Sequence, residues 1–379
     1  MTAHNLTVDG APKDMELNMG PQHPSTHGVL RLLLKVDGEK VLDVKPYIGY
    51  LHRCAEKIGE SVTVEQYVPY TDRMDYLAGM NNNLSICVAV EKLLKIEIPE
   101  RAEYIRVIFA ELNRIASHLM AFGTYGADIG AITAFLHGFR EREMILDLFE
   151  LVCGARLTYN YIRVGGVARD LTPDFLDRTK AFLDYFEPKI KEYNDLLTFN
   201  PIFLKRTVNV GVLPKETAIA YGCSGPMLRG SGVSWDIRKG DPYGIYPRLE
   251  FDVPVGEDGI AVLGDCWNRY YVRILEMVES VRILRQCLRQ IPSEGLHRGK
   301  VPRPVKIPAG EVYSRTETPR GESGFYVISD GSAIPYRLKA RSPAFSNLSV
   351  IHEISKGAFI ADMIAILGSI DIVLGDVDR

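Results

Sequence analysis

Between residues 101 and 122 the chain sets Ile105, Ile108, Leu112, Ile115 and Leu119 three and four positions apart, with Glu, Arg and Asn between them. That spacing lines the apolar side chains along one face of an α-helix, and such a face must be buried against other elements. The same period recurs over residues 140–153, 173–197 and 263–291, which predicts a helical core. Residues 118–139 are apolar over about the length that spans a bilayer. Gly123, Gly126 and Gly130 weaken a continuous helix there, however, and Asp128 sits near the middle, where hydrocarbon tolerates a carboxylate poorly. This segment is read as a glycine-bent protein interior.

Around the helical core the pattern changes twice. The first 75 residues read as turns and strands: residues 29–36 and 40–46 are short apolar runs on either side of Asp37-Gly38, a hairpin signal. Thr172 and Pro173 suit the cap and first turn of one helix, and Gly295 follows the end of another. Residues 297–345 are rich in Pro, Gly and basic side chains, with β-type runs such as 324–329, and a helical stripe returns over 354–367. No repeat or clean linker divides the 379 residues. The expectation is one α+β domain: an N-terminal β region (1–75), a helical core (76–296), a β-rich segment (297–345) and a C-terminal helix and tail (346–379).

Composition narrows the function classes. Hydrophobic residues at 46% and charged residues at 25% match an ordinary globular chain, and a net charge of −3 offers no basic surface for nucleic acid. Residues 1–13 have neither the basic start nor the apolar run of a secretory signal, which suggests a cytoplasmic location with reduced thiols. Cys54, Cys87, Cys153, Cys223, Cys266 and Cys287 contain no C-x-x-C pair, so they read as packed thiols rather than metal ligands.

Several short stretches carry chemistry. In Gly20-Pro21-Gln22-His23-Pro24-Ser25-Thr26-His27-Gly28 the histidines are four apart, as in helical zinc sites, but Pro24 and the glycines favour a loop. Ser25 and Thr26 would then make local backbone bonds, and one histidine could face a ligand. Asp72-Arg73-Met74-Asp75-Tyr76 fits an ion-paired turn, or a turn that presents Tyr76 as a neutral phenolic donor. Asp128, flanked by small and apolar residues, fits a satisfied core or cap carboxylate, or half of an Asp–His proton relay. The run from Gly225 to Gly232 resembles a phosphate loop but has Ser231 where the essential Lys belongs, so nucleotide binding is not expected. Arg269, Arg273, Arg282, Arg285 and Arg289 on one helix, and Arg337, Lys339 and Arg341 on a strand, read as solvated faces or partner contacts.

Taken together these stretches resemble the 49-kDa subunit family of respiratory complex I, relatives of the nickel–iron hydrogenase large subunit. The resemblance runs through residues 20–28, Leu51-His52-Arg53, 69–76, Gly154-Ala155-Arg156, Gly165-Gly166-Val167, 228–236, Arg320-Gly321-Glu322, 329–335 and 371–379. It implies a hydrogenase-large-subunit-like fold and a peripheral place on the cytoplasmic side of a bacterial membrane. It also implies a quinone site in which His27 and Tyr76 bind and protonate the head group while Asp128 pairs with the histidine. Arg53 matches an arginine beside the terminal iron–sulfur cluster of a neighbouring subunit, where a fixed positive charge favours the reduced cluster. The implied partners are that iron–sulfur subunit, the 30-kDa-type subunit and the membrane subunit that forms the quinone entrance.

Hydrogenase chemistry is not expected, because the two C-x-x-C pairs of those relatives are reduced here to Cys54 alone and to Asp371-Ile372-Val373-Leu374-Gly375-Asp376. The resemblance gives the chain no metal or nucleotide of its own. Two departures stand out. Cys54 replaces a common glycine, and Thr158 replaces a histidine that couples the cluster's potential to pH, a loss compatible with a low-potential quinone such as menaquinone.

Overall fold

The computed structural model describes residues 15–23, 26–302 and 304–379. Strands β1 (Met15–Met19), β2 (Arg31–Asp37) and β3 (Lys40–Tyr47) form an antiparallel sheet in that order. As Asp37-Gly38 predicts, β2 and β3 close a hairpin in which Asp37 pairs with Lys40. Leu32, Leu34 and Val36 alternate inward along β2. The first 75 residues are not all strand and turn, however, since short helices run over Ala55–Ile58 and Val64–Thr71. In the second, Thr63 and Gln66 cap the helix reciprocally, a box that outweighs Pro69 within it.

Five long helices follow or close the core: α1 (Gly79–Leu94), α2 (Glu100–Asp128), α3 (Ile132–Cys153), α4 (Phe175–Tyr193) and α5 (Cys266–Gln290). Asp265 caps α5 by accepting from the backbone of Asn268 at 2.8 Å. The cap of α4 falls on Asp174 rather than Thr172. The β-rich segment contains β4 (Gly310–Thr318), β5 (Gly321–Ser329) and β6 (Arg337–Arg341), an antiparallel sheet packed on α1. The stripe expected over 354–367 is broken into Ile351–Ser355 and α6 (Asp362–Ile370), and the chain ends in a one-turn helix, α7 (Leu374–Asp378).

Residues 118–139 correct the sequence reading most clearly. Gly123 and Gly126 do not bend the chain; α2 runs unbroken to Asp128. A Cβ on Gly126 would lie 2.7 Å from that of Ala134, and one on Gly138 would lie 2.8 Å from the Leu119 carbonyl oxygen, so the glycines let α2 and α3 lie backbone to backbone. Among the described residues no helix is long and apolar enough to cross a membrane. The buried apolar residues form two clusters. The larger gathers α1 to α5 and the inner face of β4–β6, and the smaller packs the N-terminal sheet against α6, α7 and the segment around Met227.

The glycine contacts predict the outcome of Gly138→Ala. Alanine gains about 1 kcal/mol of helix propensity, but overlap with the Leu119 carbonyl forces the helices apart at a cost of about 1–3 kcal/mol. A net loss is expected, read as a lower melting temperature of the purified protein; an unchanged or higher one would show that the close approach is not constrained.

Candidate functional site

His27 lies in the β1–β2 loop with a positive φ of 53°. Thr26 is fully buried, and its hydroxyl donates to the carbonyls of His23 at 2.8 Å and Gly28 at 3.0 Å, the local bonding expected of this loop. Pro24 and Ser25 lie outside the described residues. Among the described residues Thr26 lies in a 3-10 turn and neither His23 nor His27 is in an α-helix, so the two histidines do not share the α-helical face that a zinc site of this spacing needs. Asp128 is the last residue of α2. The two meet across the fold, with His27 Nε2 2.5 Å from Asp128 Oδ2 and both side chains only about a tenth exposed (12% and 11%). An ionised Asp128 can only accept, so Nε2 carries the proton of this bond and Nδ1 remains for another partner.

Tyr76 occupies the turn between the Val64–Thr71 helix and α1. Its neighbours explain the turn. Asp75 is buried and accepts from Arg320 at 2.9 and 3.1 Å and from the Leu77 backbone at 3.2 Å. Asp72 Oδ2 accepts from the Asn160 backbone at 2.8 Å, and Arg73 donates to the Pro69 carbonyl at 2.7 Å. The ion-paired reading of this turn is therefore right for Asp75. The Tyr76 phenol itself has no hydrogen-bond partner among the described residues and is half-buried. Burial pushes its pKa up; Arg320 opposes that, Asp75 adds to it and Arg53 opposes it, and the net shift is upward, keeping the phenol protonated at neutral pH.

The C-terminal helix α7 ties these parts together. A Cβ on Gly28 would touch Leu374 at 3.4 Å, while one on Gly375 would strike the Met74 carbonyl oxygen at 2.5 Å and approach Arg53 Nη2 to 3.1 Å. Gly375 thus lets α7 press between the His27 loop, the Tyr76 turn and Arg53. Asp378 Oδ1 and Oδ2 accept from the backbone of Gly49 at 2.8 Å and Leu51 at 2.7 Å, which latches the chain end. Arg53 is exposed and donates to the Arg73 carbonyl, and no carboxylate among the described residues pairs with it. A cleft of about 420 Å³ opens alongside, lined by His52, Cys54, Glu56, Arg337, Lys339 and Arg379 among others; His27, Tyr76 and Asp128 do not line it. Among the described residues no group of three or more His, Cys, Asp or Glu is placed to hold a metal ion. Thr158, with φ of 54°, turns its hydroxyl back to the Leu157 carbonyl at 2.7 Å.

Sequence reading missed the charges behind Tyr76. Arg320, 1% exposed, bonds Asp75, Ser117 at 3.0 Å and Asp371 at 3.2 Å, and Asp376 accepts from Ser342 at 2.6 Å. Burial, reinforced by Asp75, pushes the Asp376 carboxyl up to about 6. The clustering of Arg320 and Asp371 within motifs shared with one family was the available signal. Arg269 and Arg273 are also corrections: they are buried, not solvated, and Arg273 donates to the carbonyls of Ser369 at 2.9 Å and Ile370 at 3.0 Å. The Gly225–Gly232 run forms a buried helical turn, Pro226–Gly230, whose Arg229 donates to Glu276 at 2.5 Å and Glu317 at 2.8 Å.

Asp72 carries a pH signature. Burial pushes its carboxyl up to about 7 against the bond from Asn160. The folded state then binds more protons than the unfolded state between about pH 4 and 7, so stability falls as pH rises through that window, by about 4 kcal/mol in all. Asp72→Asn is expected to flatten that slope while keeping an acceptor for Asn160, as measured by urea midpoints at pH 5 and 8. An unaltered slope would assign it to another group.

The family described as "Respiratory-chain NADH dehydrogenase, 49 Kd subunit" matches residues 128–379. Similar proteins, each named as a subunit of NADH-quinone oxidoreductase, include that of Chlorobaculum tepidum, 58% identical over 96% of this chain and 92% of the relative. That of Chlorobium luteolum is 58% identical over 99% and 95%, and that of Prosthecochloris aestuarii 55% over 99% and 94%. The expected α+β architecture, with small antiparallel sheets before and after a helical core, agrees with that family. A family match over the region from Asp128 to the chain end, with relatives this similar along nearly the whole sequence, means that the chain belongs to the 49-kDa subunit family of respiratory-chain NADH dehydrogenase, complex I.

Proposed function

We propose that this chain forms the quinone-reduction site of a proton-pumping NADH:quinone oxidoreductase, a translocase active as the assembled complex. The observation that carries the reading is the 2.5 Å bond between His27 and Asp128, linked through α7 to a half-buried Tyr76 phenol that has no hydrogen-bond partner among the described residues. Reduction of a quinone to a quinol takes two electrons and two protons, and negative charge builds on the two carbonyl oxygens as the electrons arrive. Tyr76 Oη–H and a protonated His27 are donors suited to those oxygens, and a dry site makes such donors count for more than they would in water. Once His27 gives up its proton, Asp128 faces a neutral imidazole and loses the balance of its charge. Its displacement is the step that links quinone chemistry to proton movement elsewhere.

The electrons come from the terminal iron–sulfur cluster of a neighbouring subunit. Arg53, exposed and without a carboxylate partner among the described residues, supplies the positive charge that favours the reduced cluster. The cleft of about 420 Å³ beside Arg53 lies apart from the three proposed site residues, so the quinone chamber is completed by partners: the iron–sulfur subunit, the 30-kDa-type subunit and the membrane subunit. Attachment through these partners puts the chain at the cytoplasmic face of the membrane as a peripheral protein with no nucleic-acid role. Thr158 in place of a titrating histidine suits menaquinone, and the domain is read as single across 1–379.

Three variants of the membrane complex test the site, with assembly and cluster content verified by electron paramagnetic resonance. Tyr76→Phe removes one hydrogen bond and is expected to lower kcat/KM for a short-chain quinone roughly two- to ten-fold. His27→Ala and Asp128→Asn are expected to lose more, because a charge-assisted bond is broken. Normal quinone reduction in all three, with intact clusters, would leave the chain a structural scaffold and move the chemistry to a neighbour. Separately, Arg53→Ala is expected to lower the midpoint potential of the terminal cluster in a redox titration, and Arg53→Lys to restore part of it. An unchanged potential would remove Arg53 from the cluster's surroundings.

A further inference from the structure

Arg337, Lys339 and Arg341 alternate outward along β6, and the proposed quinone chemistry gives this basic edge no role. The first two line the cleft of about 420 Å³ beside Arg53. Lys57, from the Ala55–Ile58 helix, and Arg379, just after α7, join them. Four cations therefore line the cleft against two carboxylates, Glu56 and Asp378.

The two carboxylates do not balance the four cations. Asp378 places its oxygens on the backbone N–H groups of Gly49 at 2.8 Å and Leu51 at 2.7 Å. Glu56 alone serves Lys339 at 2.8 Å, Arg379 at 3.2 Å and Arg337 at 3.4 Å. Arg337 and Lys57 also share Glu60, at 2.6 and 2.7 Å. Arg53, next to the cleft, adds a charge with no carboxylate partner among the described residues.

Water carries this surplus while the cleft is open, since the side chains of Lys57, Lys339 and Arg337 are 80%, 47% and 41% exposed. A partner that covers the cleft takes that water away, and the cations then need opposite charge from the partner. Ile48 and Phe345 line the same cleft and are exposed as well, so the covering surface also meets apolar side chains. A protein segment supplies both kinds of contact. His52 and Cys54, on either side of Arg53 in sequence, belong to the lining. The subunit that brings its cluster to Arg53 is thus the one placed to cover the cleft, a choice of partner that rests on the proposed reading of Arg53.

We infer that the cleft seats an acidic segment of the neighbouring iron–sulfur subunit, with an Asp or Glu side chain set against Arg337, Lys339 and Arg379. Glu56 holds these cations in place and leaves their surplus charge for the partner. Matched charge at this contact steers the partner into register and penalises a wrong one.

A water-soluble carbodiimide joins a lysine amine only to a carboxylate that touches it. In the assembled complex so treated, peptide mass spectrometry is expected to find Lys339 or Lys57 joined to an Asp or Glu of the iron–sulfur subunit. The link from Lys339 to Glu56 within this chain, across 2.8 Å, is the internal control. Lys339→Arg keeps the charge without the amine, and is expected to abolish the Lys339 links while the complex stays assembled. Links confined to Glu56 and Glu60 overturn the inference, as does a link to a different subunit, or a high-resolution map with only water or a lipid phosphate in the cleft. Lys339→Glu sets like charges against each other and is expected to speed release of the iron–sulfur subunit in salt about ten-fold. Should that variant fail to assemble, Lys57→Glu makes the same test, and release at the unmodified rate overturns the inference. An unchanged cluster potential in Arg53→Ala would instead overturn the reading of Arg53 and leave the cross-link result standing.

Discussion

A guanidinium with no access to water holds the functional end of this molecule together. Arg320 sits in the tight turn between β4 and β5, and from there it reaches Asp75 beside Tyr76, Ser117 on α2 and Asp371 at the end of α6. Three segments far apart in sequence are thus fixed relative to one charge. Burying that charge is costly, and without its carboxylate partners Asp75 and Asp371 it would be left uncompensated, at a cost of about 3–5 kcal/mol. The turn that presents Tyr76 therefore takes its shape from a charge balance rather than from its own local preferences.

The same balance extends inward. Arg229 meets Glu276 and Glu317, Arg238 meets Asp236 and Glu111, and His118 meets Glu276, all among fully buried side chains. Well-packed apolar residues could stabilise a core of this size at least as well, so stability alone does not account for so many ions. Fixed charges in a dry interior keep strong fields on neighbouring titratable groups. On the proposed reading, that is the surrounding a site needs when electrons arrive and protons must follow.

How much of this could be read from sequence depended on range. Apolar spacing marked α2 and α5, and Asp37-Gly38 marked the hairpin, because those signals lie within a few residues of the structure they specify. Glycine was legible as a breaker but not as a spacer: what Gly126 does depends on Ala134 arriving opposite it, which is a fact about α3. Arg269 and Arg273 looked like solvated charge because local spacing cannot show that the Ser369 hydroxyl waits for Arg269, and the backbone carbonyls of Ser369 and Ile370 for Arg273, about a hundred residues later. His27, Tyr76 and Asp128 were each chemically plausible alone, yet their grouping came from resemblance. The structure adds the direct His27–Asp128 contact and, through α7, the physical reason the Tyr76 turn lies nearby.

The position of that contact also bears on how chemistry could spread through the protein. His27 belongs to the loop over the smaller apolar cluster, and Asp128 ends the longest helix of the larger one. Their bond spans the boundary between the two apolar clusters, whose close-packed interiors hold its two ends in place. Tyr125 and Gly368, in contact just behind Asp128, are where α2 of the larger cluster touches α6 of the smaller. The His27–Asp128 bond thus sits directly beside the place where α2 and α6 already meet.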